Sequence, residues 1–349
     1  MKKIRALAYT LVLALAILFF TIPSLRQAQT GAESQVDPET VDLQETDQVI
    51  DIGLLQYMDH PALDQIRQGI YDGLAERGYV DGENINIDYQ NGQADQANLK
   101  MIADSFVSAE KDLLVGIATP AGQSLTNASQ NHIPVVLGAV SDPVGAGLVK
   151  DEEAPGVNAT GTTDVSPLDQ QFDLMQAVMP DLTQLGMIYN SSETNAEAMV
   201  KDAVVEAESR GIEVDVKTIS STNDLAQVAE QVAQDNQAIF IPNDNSIAGS
   251  MATLIDVTDA YNVPVFPVVD TMVRDGGLLT VGLNQYQIGR DTATVIADII
   301  EGADPSQYPI KYSSKMETIV NLDKAEELGI PIPQEIVTKA KDMSQREEN

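Results

Sequence analysis

The chain contains no cysteine and no tryptophan, only two histidines, and 20 basic residues against 53 acidic ones. Each shortage removes a class of function. Without cysteine there is no disulfide framework, no thiolate metal centre and no cysteine nucleophile, which also excludes the paired-thiol chemistry of racemases. Only His60 and His132 could supply imidazole, so histidine-ligated metals and Ser-His-Asp hydrolysis are poorly provided for. A formal net charge of −33 repels nucleic acid and leaves no basic groove to hold one. That excess of carboxylate reads as a solvated surface that keeps the protein in solution, with a salty or alkaline surrounding as the alternative. No catalytic residue, metal ligand or cofactor is assigned, and a monomeric binding protein rather than an enzyme is expected.

What is present is substantial. At 349 residues and 43% hydrophobic content the chain can bury a large core, and the length favours two domains. Lys2, Lys3 and Arg5 precede the apolar stretch Ala6–Ile22, with the cationic flank on the cytoplasmic side. That stretch is longer than the usual core of a signal peptide, and Ala28-Gln29-Thr30 is a poor cleavage signal. Residues 1–22 are therefore expected to be an uncleaved membrane anchor, with a cleaved signal as the alternative. Either way the bulk of the chain is exported to the outer face of the membrane. Residues 23–48, "PSLRQAQTGAESQVDPETVDLQETDQ", are polar and acidic without apolar period and read as a flexible tether.

From Val49 onward short apolar runs alternate with longer amphipathic ones. "VIDIGLLQY" reads as a strand and "HPALDQIRQGIYDGLAERG" as a helix opened by Pro61 and closed by Gly78, and the alternation continues as βαβ units of a parallel sheet with covered faces. After Asp164 the pattern restarts. Arg77-Gly78 is answered by Arg210-Gly211, Ile133-Pro134-Val135-Val136 by Val263-Pro264-Val265-Phe266, and Gly145-Ala146-Gly147 by Gly276-Gly277, in the same order and at similar spacing. The fold class is α/β, with two Rossmann-like lobes of parallel sheet around a central cleft. Lobe 1 is assigned to residues 49–160, with 284–310 returning to it, lobe 2 to 161–283, and 311–349 to a C-terminal crossover and tail.

In open α/β sheets the carboxyl ends of the strands face the ligand crevice. The strands here stop on polar residues at that edge: Gln56-Tyr57, Thr119, Ser141-Asp142, Asn190-Ser191-Ser192, Asn243-Asp244-Asn245 and Asp270-Thr271. The same residue types are preferred helix caps, and a cap needs no ligand. Thr119-Pro120 fits a cap followed by proline at the first helical position, which still leaves the amides of Ala121 and Gly122 at the cleft. His60 is as well placed to enter a helix as to touch a ligand. Tyr57 and Tyr286 stand where cleft walls would be, though either could equally sit at the edge of the core.

The stretches "HPALDQ", "IATPAGQSL", "GAVSDPVGAGLV", "GTTDVSPLDQ", "MIYNSSETNA", "IPNDNSIA" and "GLLTVGLNQYQIG", in that order, resemble the ABC-transporter substrate-binding proteins of the tryptophan/tyrosine type. The resemblance implies a type I periplasmic-binding-protein-like fold whose lobes close on a small solute, often an aromatic amino acid, and hand it to permease subunits driven by a cytoplasmic ATPase. Many members carry a lipobox cysteine, which this chain lacks. A zwitterion needs donors for its carboxylate and an anion for its ammonium. Thr119, Ser141 and the amides after Thr119 are expected to supply the first. Asp244 is favoured over Asp142 for the second, because a counter-charge on the closing lobe explains closure driven by ligand. Tyr57, His60 and Tyr286 would wall the side chain. Gln123, Thr162, Asp164, Asn190, Ser191, Asn245, Asp270 and Asn284 complete the cleft candidates, with Gly161-Thr162-Thr163 and Gly282-Leu283-Asn284 in the hinge. An extracellular sensor presenting a solute to a receptor is the alternative function.

Overall fold

Strand β1 (Ile50–Gln56) opens the described part of the chain, which in the computed structural model comprises residues 49–313 and 316–344. The expected anchor and tether lie outside it. Among the described residues no helix is long and apolar enough to cross a membrane. After β1 come α1 (Pro61–Glu76), β2 (Ile85–Asn91), α2 (Gln96–Ser108), β3 (Leu113–Ile117), α3 (Thr119–Ser129), β4 (Val135–Gly138) and β5 (Ala159–Thr163). Every residue of β3, β4 and β5 is buried, as strands covered by helices on both faces must be. Burying one Leu, Ile or Val side chain there contributes about 1.5–3 kcal/mol.

The chain then crosses into a second lobe: α4 (Leu168–Val178), β6 (Gln184–Asn190), α5 (Thr194–Ser209), β7 (Glu213–Ile219), α6 (Leu225–Asp235), β8 (Ala238–Ile241), α7 (Asn245–Ala248), α8 (Met251–Ala260), β9 (Val265–Pro267), α9 (Asp270–Arg274) and β10 (Leu279–Leu283). It returns to the first lobe with α10 (Gln285–Ile300) and β11 (Lys311–Tyr312), then crosses once more for β12 (Met316–Val320), α11 (Leu322–Glu327), α12 (Gln334–Lys339) and β13 (Lys341–Asp342).

The two main sheets share one design. The first runs β2-β1-β3-β4-β5-β11 and the second β7-β6-β8-β9, with all these pairs parallel. The positions of β1 to β4 in one are those of β6 to β9 in the other, so the repeat in the sequence is a repeat of topology. Each sheet has its own core, one built on residues such as Leu54, Val115 and Ile296 and the other on residues such as Met187, Phe240 and Phe266.

Two boundaries differ from the sequence reading. The expected start of lobe 2 at residue 161 would divide β5, which runs to Thr163 and pairs with β4, so the first crossover falls at Asp164. The C-terminal segment is also more than a tail. β12 pairs antiparallel with β10, and Val320, Ala325 and Ile336 are buried in the second core. The edge of β10 needs a partner, and β12 supplies it.

α10 is held to lobe 1 by close backbone approach. A Cβ on Gly289 would stand 2.0 Å from the Ile66 carbonyl oxygen, and one on Gly69 would stand 2.2 Å from that of Tyr286. Only glycine lets α1 and α10 come this near.

Candidate functional site

The carboxyl ends of both sheets meet at one small hollow. It is lined by His60, Ala62, Leu63 and Ile66 from the start of α1, Ala118 and Thr119 after β3, Ala139 after β4, Asp164 after β5, Asn195 on α5, Asn243 and Asn245 after β8, Val269 before α9, and Gln285 on α10. In this arrangement the hollow is about 10 Å³, room for roughly one water. Two of its alanines have backbone conformations that L residues seldom adopt, Ala118 at φ 74° and ψ 157° and Ala139 at φ 57°. The amide of Ala118 donates to the Gly138 carbonyl (2.9 Å) and that of Ala139 to Thr162 Oγ1 (3.2 Å). Strain of this kind costs on the order of 1–3 kcal/mol per residue and collects at binding sites.

Hydrogen bonds hold the lobes together around the hollow. Asn243 Nδ2, on lobe 2, donates to Asp164 Oδ2 (2.5 Å) and to Ser141 Oγ (3.2 Å), and Ser141 Oγ donates to Asp164 Oδ1 (2.7 Å). Burial pushes the Asp164 carboxyl above its ordinary range, while the bonds from Ser141 and Asn243 pull the other way. His60 Nε2 lies 3.1 Å from Asn245 Oδ1 across the interface. Burial lowers the affinity of this imidazole for a proton. Gln123 Nε2 makes a long bond, 3.4 Å, to Thr194 Oγ1 nearer the rim.

Behind the hollow lies a buried acidic cluster. Glu193 is fully buried and accepts from the amides of Asn245 (3.0 Å) and Ser246 (2.8 Å), from Asn245 Nδ2 (2.7 Å) and from Ser246 Oγ (2.7 Å). Asp244, also fully buried, accepts from the amides of Asn190 (2.5 Å) and Ile247 (2.9 Å). Burial, followed by the Glu193 charge, pushes the Asp244 carboxyl well above its usual range. Tyr57 reaches across from lobe 1 towards Ser246, and burial together with Glu193 raises its phenol to about 12.

This placement changes several assignments. Asp244 caps α7, and its two oxygens are taken by the backbone amides of Asn190 and Ile247, so it is not a free anion for a ligand ammonium. Asp142 is not the alternative, since its Oδ1 is taken by the Gly145 amide (2.7 Å) and it lies on the rim. The carboxyl lining the hollow is Asp164. Tyr286 forms no wall. Its hydroxyl donates to Asp72 (2.9 Å) on α1, because one residue along α10 turns the side chain by about 100° and presents Gln285 to the hollow instead. Tyr57 belongs to the acidic cluster, leaving His60 as the ring that lines the hollow.

The remaining candidates serve structure where they stand. Asn284 caps α10 through the Gln287 amide (2.9 Å). Thr162 Oγ1 pairs with Thr292 Oγ1 (2.8 Å) inside lobe 1. Asn190 Nδ2 donates to Ser246 Oγ (3.0 Å), Ser191 Oγ donates to the Ile219 carbonyl (3.2 Å), and Asp270 accepts from the Thr271 amide (2.8 Å). The structure therefore brings His60, Thr119, Asp164 and Asn245 to one hollow, with Ser141 bonded to Asp164 beside it.

Asn195, Glu193 and Gln285 had not been singled out. Asn195 and Glu193 both fall in the quoted "NSSETNA", where a Glu-Thr-Asn run at a helix start was the available signal. Among the described residues, two buried polar atoms at the hollow have no hydrogen-bond partner, His60 Nδ1 and Asn195 Oδ1. Asn195 also lines two grooves at the outer rim, of about 310 and 420 Å³. The first is partly apolar, through Val165, Leu168, Ala198 and Met199.

Two lobes of like topology, joined at crossovers and facing each other across a polar hollow at their strand ends, define a type I periplasmic-binding-protein-like fold. The chain belongs to the family described as ABC transporter substrate binding protein, whose model matches residues 51–344. It is 34% identical over 279 residues to a tyrosine-binding protein of Clostridioides difficile, covering 80% of this chain and 81% of that one. It is also similar to the crystal structure of an ABC domain in complex with L-Trp from Streptococcus pneumonia, with 37% identity, a TM-score of 0.82 and coverage of 84% of this chain and 99% of that one. The ligand-free, open structure of a substrate binding protein with adhesive properties from Clostridium difficile matches with 34% identity, a TM-score of 0.67 and coverage of 85% and 100%. Members of this family are substrate-binding proteins rather than enzymes.

Proposed function

We propose that this chain is the solute-binding component of an ABC importer and captures an aromatic amino acid, tryptophan or tyrosine, between its lobes at the outer face of the membrane. Permease subunits and their cytoplasmic ATPase would receive the solute, and the N-terminal segment would hold the protein near them. The observation that carries the reading is the hollow itself. Among the described residues it is lined by one carboxyl, Asp164, by buried unpartnered polar atoms of His60 and Asn195, and by no Lys or Arg. Such a lining suits a ligand that brings its own cationic, donor-rich group.

The ligand carboxylate is then left to neutral donors. The first-turn amides of α3, at Thr119 and Ala121, have no acceptor within the helix and sit at its positive end. A ring is far larger than a 10 Å³ hollow, so the ligand enters with the lobes apart and is enclosed as they meet, displacing part of the present interface into the apolar rim groove. The tyrosine and tryptophan relatives support an aromatic side chain.

The chain has no tryptophan, so indole emission reports added ligand alone. Titrating L-tryptophan into micromolar protein should give a blue-shifted or quenched signal saturating at one ligand per chain, with phenylalanine competing better than leucine. An unchanged spectrum, with no thermal stabilisation by tryptophan or tyrosine, would refute the aromatic assignment.

A further inference from the structure

The two unpartnered atoms at the hollow can be assigned as donors or acceptors from their neighbours. Glu193 Oε2 receives the main-chain N–H of Asn245 (3.0 Å) and is therefore an acceptor. The side-chain atom of Asn245 at 2.7 Å from the same oxygen must then be its NH₂ group. This turns the amide oxygen of Asn245 towards His60 Nε2 (3.1 Å), so Nε2 carries the proton. In a neutral imidazole the other nitrogen is then a bare lone pair, and His60 is kept neutral by its burial. Asn195 follows the same logic. Its Nδ2 donates to the Asn243 carbonyl (2.7 Å), an acceptor only, which leaves Oδ1 as the free atom. His60 and Asn195 are 6% and 5% exposed and line the same hollow.

We propose that Glu193, acting through Asn245, fixes the tautomer of His60 so that Nδ1 and Asn195 Oδ1 form a pair of acceptors that select solutes presenting N–H or O–H donors. The proposal rests on the amino-acid reading above and sharpens it. The relay crosses the cleft, since Glu193 and Asn245 belong to lobe 2 and His60 to lobe 1, so the acceptor is set as the lobes meet. Glu193 is a positioning residue here and touches no solute. A solute that cannot donate leaves a buried lone pair unmatched, which sites built for donors reject strongly. The matching donor on an aromatic amino acid is either its ring N–H or O–H or its ammonium.

Imidazole ¹⁵N NMR of the full chain tests this directly. With two histidines in the sequence, a His132→Gln variant assigns the spectrum. His132 also serves as an internal reference, because its Nδ1 faces the Ser129 carbonyl (3.2 Å) and must be the protonated nitrogen there. The expected result is the opposite pattern at His60, with Nε2 protonated and Nδ1 bare, and a shift of the Nδ1 resonance on saturation with L-tryptophan. Asn245→Leu should lose the single tautomer and bind L-tryptophan at least tenfold more weakly. As a test that needs no variant, the wild-type protein is also titrated with 1-methyl-L-tryptophan and indole-3-propionate. A tenfold or greater loss with the first identifies the ring donor, and with the second the ammonium. A protonated Nδ1 at His60, or an Nδ1 resonance that does not move when L-tryptophan binds, overturns the proposal. Failure of both L-tryptophan and L-tyrosine to bind overturns the functional reading together with this role.

Discussion

Replacing Asn243 by alanine isolates the contribution of lobe closure. The Asn243 side chain reaches from lobe 2 to Asp164 Oδ2 (2.5 Å) and Ser141 Oγ (3.2 Å), so these bonds exist only when the lobes meet. Asp164 is 7% exposed, and losing one donor leaves its buried carboxyl with the bond from Ser141. A hydrogen bond to a charged group is worth about 1.5–3 kcal/mol. At about 1.4 kcal/mol per factor of ten, Asn243→Ala should weaken tryptophan binding roughly 10- to 100-fold. Both partners of the Asn243 side chain lie on the other lobe, so where ligand is what brings the lobes together the melting temperature without ligand should move by less than about 2 °C. Calorimetric titration and thermal melts of the same preparations give both numbers. A variant that binds tryptophan within about twofold of wild type yet melts several degrees lower would show that these bonds support the fold and not closure, and the argument would fail.

Asp244→Asn tests the buried acidic pair. The raised folded-state affinity of Asp244 for a proton means that stability is greatest below its ordinary value of 3.8 and is lost as pH rises through the folded value. Asparagine stays uncharged at every pH but has one acceptor oxygen for the two amides of Asn190 and Ile247, a fixed cost of about one hydrogen bond. The stability of the variant relative to wild type should therefore rise from pH 4 to pH 7; a difference that does not change over this range contradicts this. Gly289→Ala should destabilise by about 2 kcal/mol in denaturant unfolding, because overpacking of about 3 kcal/mol exceeds the helix-propensity gain of about 1 kcal/mol. An unchanged midpoint would mean that α1 and α10 can part without cost. Ala118→Gly should relieve a conformation that only glycine adopts easily, raising the melting temperature; a fall would show that the Ala118 methyl group packs more than the backbone strains.

The fold was legible because its signals are local. Pro61 and Gly78 mark the ends of one helix, and the apolar runs of β3, β4 and β8 are unbroken, so the βαβ order and its repetition follow from short stretches. The place of the cleft followed from where those runs stop. Which side chain faces it did not. Gln285 and Tyr286 differ by one step round a helix, and strand ends give position without azimuth. The pairing of Glu193 with Asp244 is also non-local, since it joins residues 51 positions apart through burial that no short stretch displays. The return of β12 to β10 was missed for the same reason, as its partner lies across the whole of α10.

Neither lobe is a continuous stretch of chain, and this governs the order in which the protein can be made. The helix that completes lobe 1, α10, is synthesised more than a hundred residues after β5, and its glycine seam with α1 cannot form before then. Lobe 2 likewise waits for β12, which covers the edge of β10. A growing chain therefore carries two unfinished cores until nearly all of it exists, and folding becomes a late event rather than a progressive one. Such postponement keeps the chain pliable through most of its synthesis and lets the two lobes set together at the end.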